Sequence, residues 1–353
     1  MEQESVVIAY CVESPGRSCL VQRERPRVGP GQVLVRVGAV GICGSDLEMV
    51  AGTRDPEYRR YPVVLGHEWA GEIVELGEGV GQLGLGQFVT VEGHNYCGRC
   101  RQCKRGETQL CETYNEFGFT LDGGYAEFVA ARADLCHSFS RVSSVEAALT
   151  EPTACSLHGV LRSGVQPGDT VVVVGAGTIG LLAVALFSLY SPENLIVIDR
   201  HGFQRSTALT LGATHYLIEG EDDVLETVQN LTGGRGADVS FEAGGHPRAV
   251  QTAVAATARH GKVVLEGISG TDSVEPFDLD QIVLADLRIE GVFAYPSRVF
   301  AQALKMIEAK LLDVKPLITH RLPLAEADHA FELLKDRQEP TIKVLLQPDA
   351  GSG

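Results

Sequence analysis

A chain of 353 residues, 44% hydrophobic and 22% charged, has the make-up of a folded globular protein and enough length for two domains. Its formal net charge of −16 repels nucleic acid and anionic membrane, so neither is expected as a partner. The start Met1-Glu2-Gln3-Glu4-Ser5 lacks the basic and apolar regions of a secretory signal, and no apolar run approaches the ~20 residues that span a bilayer, so a cytoplasmic location is expected.

From Ser5 to about Val40, short β-rich runs alternate with turn residues: Val6-Val7-Ile8-Ala9-Tyr10, Pro15-Gly16, Gly29-Pro30-Gly31, then Val33-Leu34-Val35-Arg36-Val37. Further runs at Gly71–Leu76 and Gln87–Val91 predict a barrel-like β domain. After Glu151 the texture changes to alternating strands and helices. Strands are expected at Val171–Val174, Leu195–Asp199, His215–Ile218, Ala237–Glu242 and Lys262–Leu265, with helices from the glycine turn to Tyr190, over Phe203–Leu211, near Val224–Leu231 and from Pro247. That alternation predicts a doubly wound parallel sheet, an α/β Rossmann domain complete by Gly291. Two more helical patterns, Arg298–Lys310 and Leu324–Lys335, and a strand over Thr341–Leu346 are expected to return to the first domain. The expected division is therefore 1–155, 156–294 and 295–353.

Gly175-Ala176-Gly177-Thr178-Ile179-Gly180 follows the strand of valines and opens a helix. Gly175 permits the tight turn, Gly177 lets backbone approach a pyrophosphate, and Gly180 lets helix pack on strand, while the helix N-terminus, at Thr178 and Ile179, offers N–H groups to phosphate. The next strand ends at Asp199, an acidic residue placed to bond the ribose hydroxyls of NAD and to repel a 2′-phosphate. Arg200 follows directly and would accept that phosphate if Asp199 turned away. NAD is the favoured cofactor.

Four of the nine cysteines, Cys97, Cys100, Cys103 and Cys111, fall within fifteen residues. Four thiolates satisfy tetrahedral Zn²⁺ with no open position, as a structural site requires. Disulfides are disfavoured in the expected compartment, and an iron–sulfur cluster fits the spacing less well. Arg99, Arg101, Lys104 and Arg105 would moderate the formal −2 charge of the site.

A second, dispersed set comprises Cys43 in Gly41-Ile42-Cys43-Gly44-Ser45-Asp46, His67-Glu68 in Gly66-His67-Glu68-Trp69, and Glu151 in Thr150-Glu151-Pro152. With the cysteine loop and the glycine turn, these residues stand in the order and spacing of the zinc-containing medium-chain alcohol/polyol dehydrogenases, which the chain resembles over essentially its whole length. The resemblance implies a GroES-like β-barrel catalytic domain before the Rossmann domain, and one catalytic and one structural zinc per chain. It implies a catalytic Zn²⁺ held by Cys43, His67 and either Glu68 or Glu151, with the remaining position open to substrate oxygen. It also implies a proton relay through Ser45, with Asp46 supporting a ligand. Family members place a histidine three residues after that serine, where this chain has Glu48, so the outer end of the relay departs from the pattern.

Substrate contacts are expected from Glu48, Tyr58, Glu92, Phe117 and Tyr295, polar and aromatic groups that suit a hydroxylated ring or chain. The stretch from Leu110 to Gly124 resembles the bacterial cyclitol and aminocyclitol branch that includes 2-deoxy-scyllo-inosamine dehydrogenase. A secondary alcohol of a polyol, sugar or (amino)cyclitol is the expected substrate, with the carboxylates Glu48, Glu57 and Glu92 as candidate partners of a substrate ammonium. L-threonine 3-dehydrogenase or a sorbitol-type acyclic polyol dehydrogenase is the main rival. A zinc-free reductase of the same fold and a non-catalytic NAD-binding protein with only structural zinc are the others. Relatives form homodimers or homotetramers through the cofactor domain, and Val283–Gly291 is the candidate edge.

Overall fold

The computed structural model describes residues 6–270, 273–274, 278–336 and 340–348, so the acidic start considered above for targeting lies outside the described residues. The chain divides into two compact units, Met1–Glu151 with Pro296–Gly353, and Pro152–Tyr295. In chain order the elements are β1 (Val6–Ser14), β2 (Arg17–Glu24), β3 (Gln32–Gly41), α1 (Gly44–Ala51), β4 (Val63–Val64), β5 (Glu68–Leu76), β6 (Phe88–Val91), α2 (Arg101–Lys104), β7 (Phe128–Arg132), β8 (Cys136–Phe139), α3 (Ser144–Ala147) and α4 (Thr150–Ser163). There follow β9 (Thr170–Val174), α5 (Thr178–Ser188), β10 (Asn194–Asp199), α6 (Arg205–Thr210), β11 (His215–Ile218), α7 (Val224–Leu231), β12 (Ala237–Glu242), α8 (Pro247–Ala256), β13 (Thr257–Leu265), α9 (Leu279–Leu284) and β14 (Arg288–Gly291). The chain closes with α10 (Ser297–Glu308), β15 (Ile318–Pro323), α11 (Ala327–Asp336) and β16 (Lys343–Gln347).

The first unit holds a sheet of order β15-β16-β3-β5-β6-β8, with β7 also on β3, and a smaller sheet β2-β1-β4. Strand β3 is the hub. Its valines Val33, Val35, Val37 and Val40 are wholly buried with Trp69, Leu65, Phe119 and Tyr125 in one core. In the second unit six parallel strands run β11-β10-β9-β12-β13-β14. Every residue of β9 is buried, which is why it reads as an unbroken apolar run rather than an alternating one. Helix α6 begins two residues later than the apolar pattern implied. Strand β13 begins at Thr257 rather than Lys262, with His260 at φ 63° inside it. Strand β15 was not among the expected elements; Thr319, His320 and Arg321 interrupt its apolar pattern and Pro323 ends it.

Helix α3 starts with a capping box: Ser143 Oγ accepts the Glu146 N–H, and Glu146 accepts the Ser143 N–H at 3.0 Å. Lys310 Nζ donates to the same carboxylate at 2.8 Å, tying the chain after α10 back to α3. Burial opposes the charge, but the Lys310 ammonium and the Ser143 donors outweigh it and hold Glu146 down at about 2. A depressed carboxyl stabilises the fold fully above its ordinary pKa of 4.5 and loses that contribution as pH falls toward 2. Glu146→Gln is therefore expected to flatten the acid limb of stability between those values, measured by thermal unfolding across pH 2 to 6, with little pH dependence lost above it.

Candidate active site

The local sequence presents Cys43 at the N-cap of α1 in extended conformation, and Gly52 at φ 74° closes that helix. Asp46 accepts the Cys43 N–H at 2.9 Å and the Tyr125 hydroxyl at 2.9 Å, and its Oδ1 lies 3.6 Å from His67 Nδ1. Gly41, the last residue of β3, pairs with Glu68, the first of β5, so the ladder itself draws Cys43 toward His67 and Glu68. The ligand atoms of these three residues lie within 4.8 Å of one another. A thiolate, an imidazole and a carboxylate at that spacing fit a zinc ion that keeps a position for substrate. Burial works against a charged His67, but Asp46 and then Cys43 outweigh it and raise its pKa. A carboxylate on one ring nitrogen is the partner that orients a ligating imidazole through the other.

Glu68 is held by a buried lysine. Lys343, 1% exposed, ion-pairs with Glu68 Oε2 and donates to the Ile42 carbonyl at 2.9 Å. Glu151, buried in the first turn of α4, stands outside the 4.8 Å set. Burial above all, and then the Glu68 and Glu116 carboxylates, push it up to about 8 against the pull of His67 and Lys343.

A polar cluster adjoins His67. The Phe119 ring packs 4.8 Å from the His67 ring, and the Arg54 guanidinium lies 4.1 Å from the Phe119 centroid. Glu48 lies 3.3 Å and Glu116 3.8 Å from Arg54, Tyr114 donates its hydroxyl to Glu116 at 2.8 Å, and His94 Nε2 is 3.8 Å from the same carboxylate. Burial drives His94 down to about 3, so it is a neutral imidazole. Two carboxylates around one guanidinium leave the cluster net negative.

The sulfurs of Cys97, Cys100, Cys103 and Cys111 also lie within 4.8 Å of one another. Backbone N–H groups point at them, from Cys97 to Cys111 Sγ at 3.3 Å, from Arg99 and Cys100 to Cys97 Sγ at 3.4 and 3.3 Å, and from Cys103 to Cys100 Sγ at 3.5 Å. The Arg99 and Cys100 donors bring Cys97 down to about 6. Four converging sulfurs with amide support suit a closed tetrahedral zinc site.

In the second unit, Gly175 has φ 100°, and a Cβ there would meet Gly244 N at 2.6 Å; a Cβ on Gly180 would meet the Gly175 carbonyl at 1.8 Å. Only glycine fits either position. Gly177 caps α5, with Thr178 and Ile179 in its first turn. Asp199 Oδ2 accepts the Ala176 N–H at 2.7 Å, so the carboxylate at the end of β10 is anchored beside the turn, and Arg200 next to it is exposed.

Residues 29–141 match the model of the alcohol dehydrogenase GroES-like domain, and residues 178–309 that of the zinc-binding dehydrogenase. The chain is 33% identical to the sorbitol dehydrogenase of Bacillus subtilis (strain 168) over 92% of each chain. The chain belongs to the zinc-binding medium-chain dehydrogenase family. It is also 32% identical to the L-threonine 3-dehydrogenase of Pyrococcus furiosus, over 90% of this chain and 91% of that one. A solved structure of a protein assigned as a zinc-binding dehydrogenase from Sinorhizobium meliloti 1021, bound to NADP, matches 98% of this dehydrogenase and 100% of its own chain, at 31% identity and a TM-score of 0.91. The GroES-like domain and the parallel Rossmann sheet are thus the family's architecture.

Other residues singled out in the sequence are scattered through this dehydrogenase. Ser45 lies in the first turn of α1, two residues after Cys43, and Tyr58 packs edge-on against Tyr114 at 5.8 Å. Glu92 accepts the Ser297 hydroxyl at 2.7 Å and lies 2.8 Å from His137 Nε2. Phe117 sits in the core of the first unit, edge-on to Trp69, and Tyr295 is wholly buried in the second. Arg54 and Lys343 were not anticipated. Lys343 had left one trace, a lone charge at the head of the apolar run Val344-Leu345-Leu346.

Among the described residues no helix is long and apolar enough to cross a membrane.

Proposed function

We propose that this dehydrogenase oxidises a secondary alcohol on a polyol, sugar or (amino)cyclitol, with NAD as acceptor. The observation that carries the reading is the run of contacts from the Cys43, His67 and Glu68 set through Phe119 to the Arg54, Glu48, Glu116 and Tyr114 cluster. It links charged and hydroxyl-bearing side chains to His67 through one aromatic ring, a lining that suits a hydroxylated substrate better than a small apolar alcohol. The net negative cluster favours neutral or amine-bearing substrates over phosphates and carboxylates. Glu48 stays a candidate partner for an amine and Glu116 joins it, both lying in the cluster that Phe119 links to His67, whereas Glu57 is exposed and Glu92 lies between Ser297 and His137.

Zinc, when bound, supplies Lewis-acid polarisation of the substrate oxygen, and NAD supplies the hydride acceptor. Cys43, His67 and a carboxylate, Glu68 or Glu151, are the groups that would hold the metal. Asp46 fixes the His67 ring, and Lys343 restrains Glu68. We assign Ser45 Oγ to take the alcohol proton; Glu48 is engaged by Arg54, so the proton passes outward by way of water. The turn Gly175–Gly180 and the start of α5 receive the pyrophosphate, and Asp199 bonds the ribose hydroxyls.

Steady-state turnover of myo-inositol, an aminocyclitol, sorbitol, L-threonine and 2-butanol, before and after chelation, tests the reading. Chelation-sensitive preference for the cyclic polyols is expected, and preference for L-threonine or 2-butanol would replace it. Asp199→Ser is expected to reverse a preference for NAD over NADP, read as the ratio of kcat/KM for the two.

The cofactor unit's sheet ends at β14, where Ile289 is 37% exposed, and the neighbouring Val283 and Leu284 of α9 are 74% and 76% exposed. An apolar open edge of this kind invites a second copy, strand to strand. We infer a homodimer or homotetramer through β14, and Ile289→Lys is expected to give a smaller species by light scattering.

A further inference from the structure

At the carboxyl end of β12 lies a carboxylate that no catalytic or ligand role absorbs. Glu242 is fully buried, paired in register with Val174 at the end of β9 on one side and with Leu265 at the end of β13 on the other. Sheet order reverses between β9 and β12, and in open α/β sheets the crevice at such a reversal is where ligands bind.

Three loops leave the sheet there: those after β12 and β13 close on this side chain, and the one after β9 packs against residues 243 and 244. Glu242 Oε1 accepts the N–H groups of Gly244 and Gly245, both at 2.8 Å. Its own carbonyl accepts the Glu266 N–H at 3.0 Å and the Gly267 N–H at 3.2 Å. A Cβ on Gly267 would meet Gly245 N at 2.3 Å and Glu242 Oε2 at 2.7 Å, so the loop after β13 lies directly against the carboxylate. The loop after β12 is in turn the floor of the dinucleotide turn: Ala243 N donates to the Val174 carbonyl at 2.8 Å, and Gly244 N fills the place where a Gly175 side chain would go. Burial raises the Glu242 pKa, while the amides of Gly245, Gly244, Gly267 and His246 pull it back.

We propose that Glu242 is a positioning residue for the dinucleotide: it fixes residues 243–245, and through them the height at which the turn at Gly175 meets the pyrophosphate. The proposal rests on the dinucleotide reading of that turn. Its signature is selective. Ligands that carry the pyrophosphate depend on Glu242, and those that use only the ribose carboxylate at Asp199 do not.

The zinc-loaded enzyme is titrated with NADH by fluorescence, and with ADP-ribose and adenosine by displacement of NADH, in wild type, Glu242→Gln and Glu242→Asp. Glutamine keeps the shape and turns one acceptor into a donor facing backbone N–H groups; aspartate keeps the charge and withdraws the oxygens by one methylene. Each variant is expected to weaken NADH and ADP-ribose about tenfold, the scale of a lost charge-assisted hydrogen bond, and to leave adenosine within about twofold. Amide exchange at Gly244 and Gly245 in the ligand-free variants is expected to quicken. Equal weakening of adenosine and ADP-ribose, or faster exchange with unchanged NADH affinity, overturns the proposal. If one variant does not fold, the other carries the same comparison. Wild type that binds neither NADH nor ADP-ribose overturns instead the dinucleotide reading on which it stands.

Discussion

Cys43→Ser is expected to lower kcat/KM for the best polyol about a thousandfold or more, with NADH affinity within about twofold of wild type. Lewis-acid polarisation contributes several kcal/mol to reactions of this kind, and each 1.36 kcal/mol is a decade in rate. Serine keeps the N-cap of α1, because Asp46 accepts the backbone N–H at position 43 and not the side chain, so the helix and the seat of His67 should survive. Metal analysis by mass spectrometry should fall from two ions per chain to one, with the remaining ion on Cys97, Cys100, Cys103 and Cys111. A variant that keeps both ions and its activity would show that Cys43 is not a ligand.

Lys343→Met is expected to destabilise the chelated protein by about 3–5 kcal/mol, the usual cost of removing one partner from a buried ion pair. The cause is the Glu68 carboxylate, 1% exposed and left without its cation. Adding Glu68→Gln to Lys343→Met should recover much of the loss, and the non-additivity of the double-mutant cycle in denaturant unfolding measures the pair directly. Additive losses would mean that Lys343 acts mainly through its bond to the Ile42 carbonyl. With zinc present, a Glu68 released from Lys343 is free to bind the metal more strongly, so KM and kcat should move as well as stability.

Much of the fold was readable because its strongest signals are local. A run of valines, a glycine turn and an acidic residue after the next strand require no knowledge of distant contacts, and four cysteines in fifteen residues announce their own proximity. His67 and Glu68 were found through their neighbours in the motif. What stayed hidden depends on which strands pair. Lys343 reaches Glu68 only because β16 and β5 both flank β3, a register that no local pattern encodes. Arg54 is one of several arginines in a polar loop, and nothing in the sequence distinguishes it from Arg59 or Arg60 until Phe119 is seen beneath it. Glu92 and Phe117 look like lining residues in sequence because acidic and aromatic residues serve a binding loop and an interior network equally well.

Strand β16 and Lys343 belong to the first unit, yet the whole of the second unit, Pro152–Tyr295, is made before them. During synthesis the end of β3, where Val40 and Gly41 later pair with Leu346 and Leu345, waits with a bare edge while the Rossmann sheet assembles. The carboxylate of Glu68 waits too, without its ammonium. Cys43, His67 and Glu68 are all made well before that point, so a chain stalled before position 343 would carry the three of them with the Glu68 carboxylate still free of Lys343 and the end of β3 still unpaired by β16.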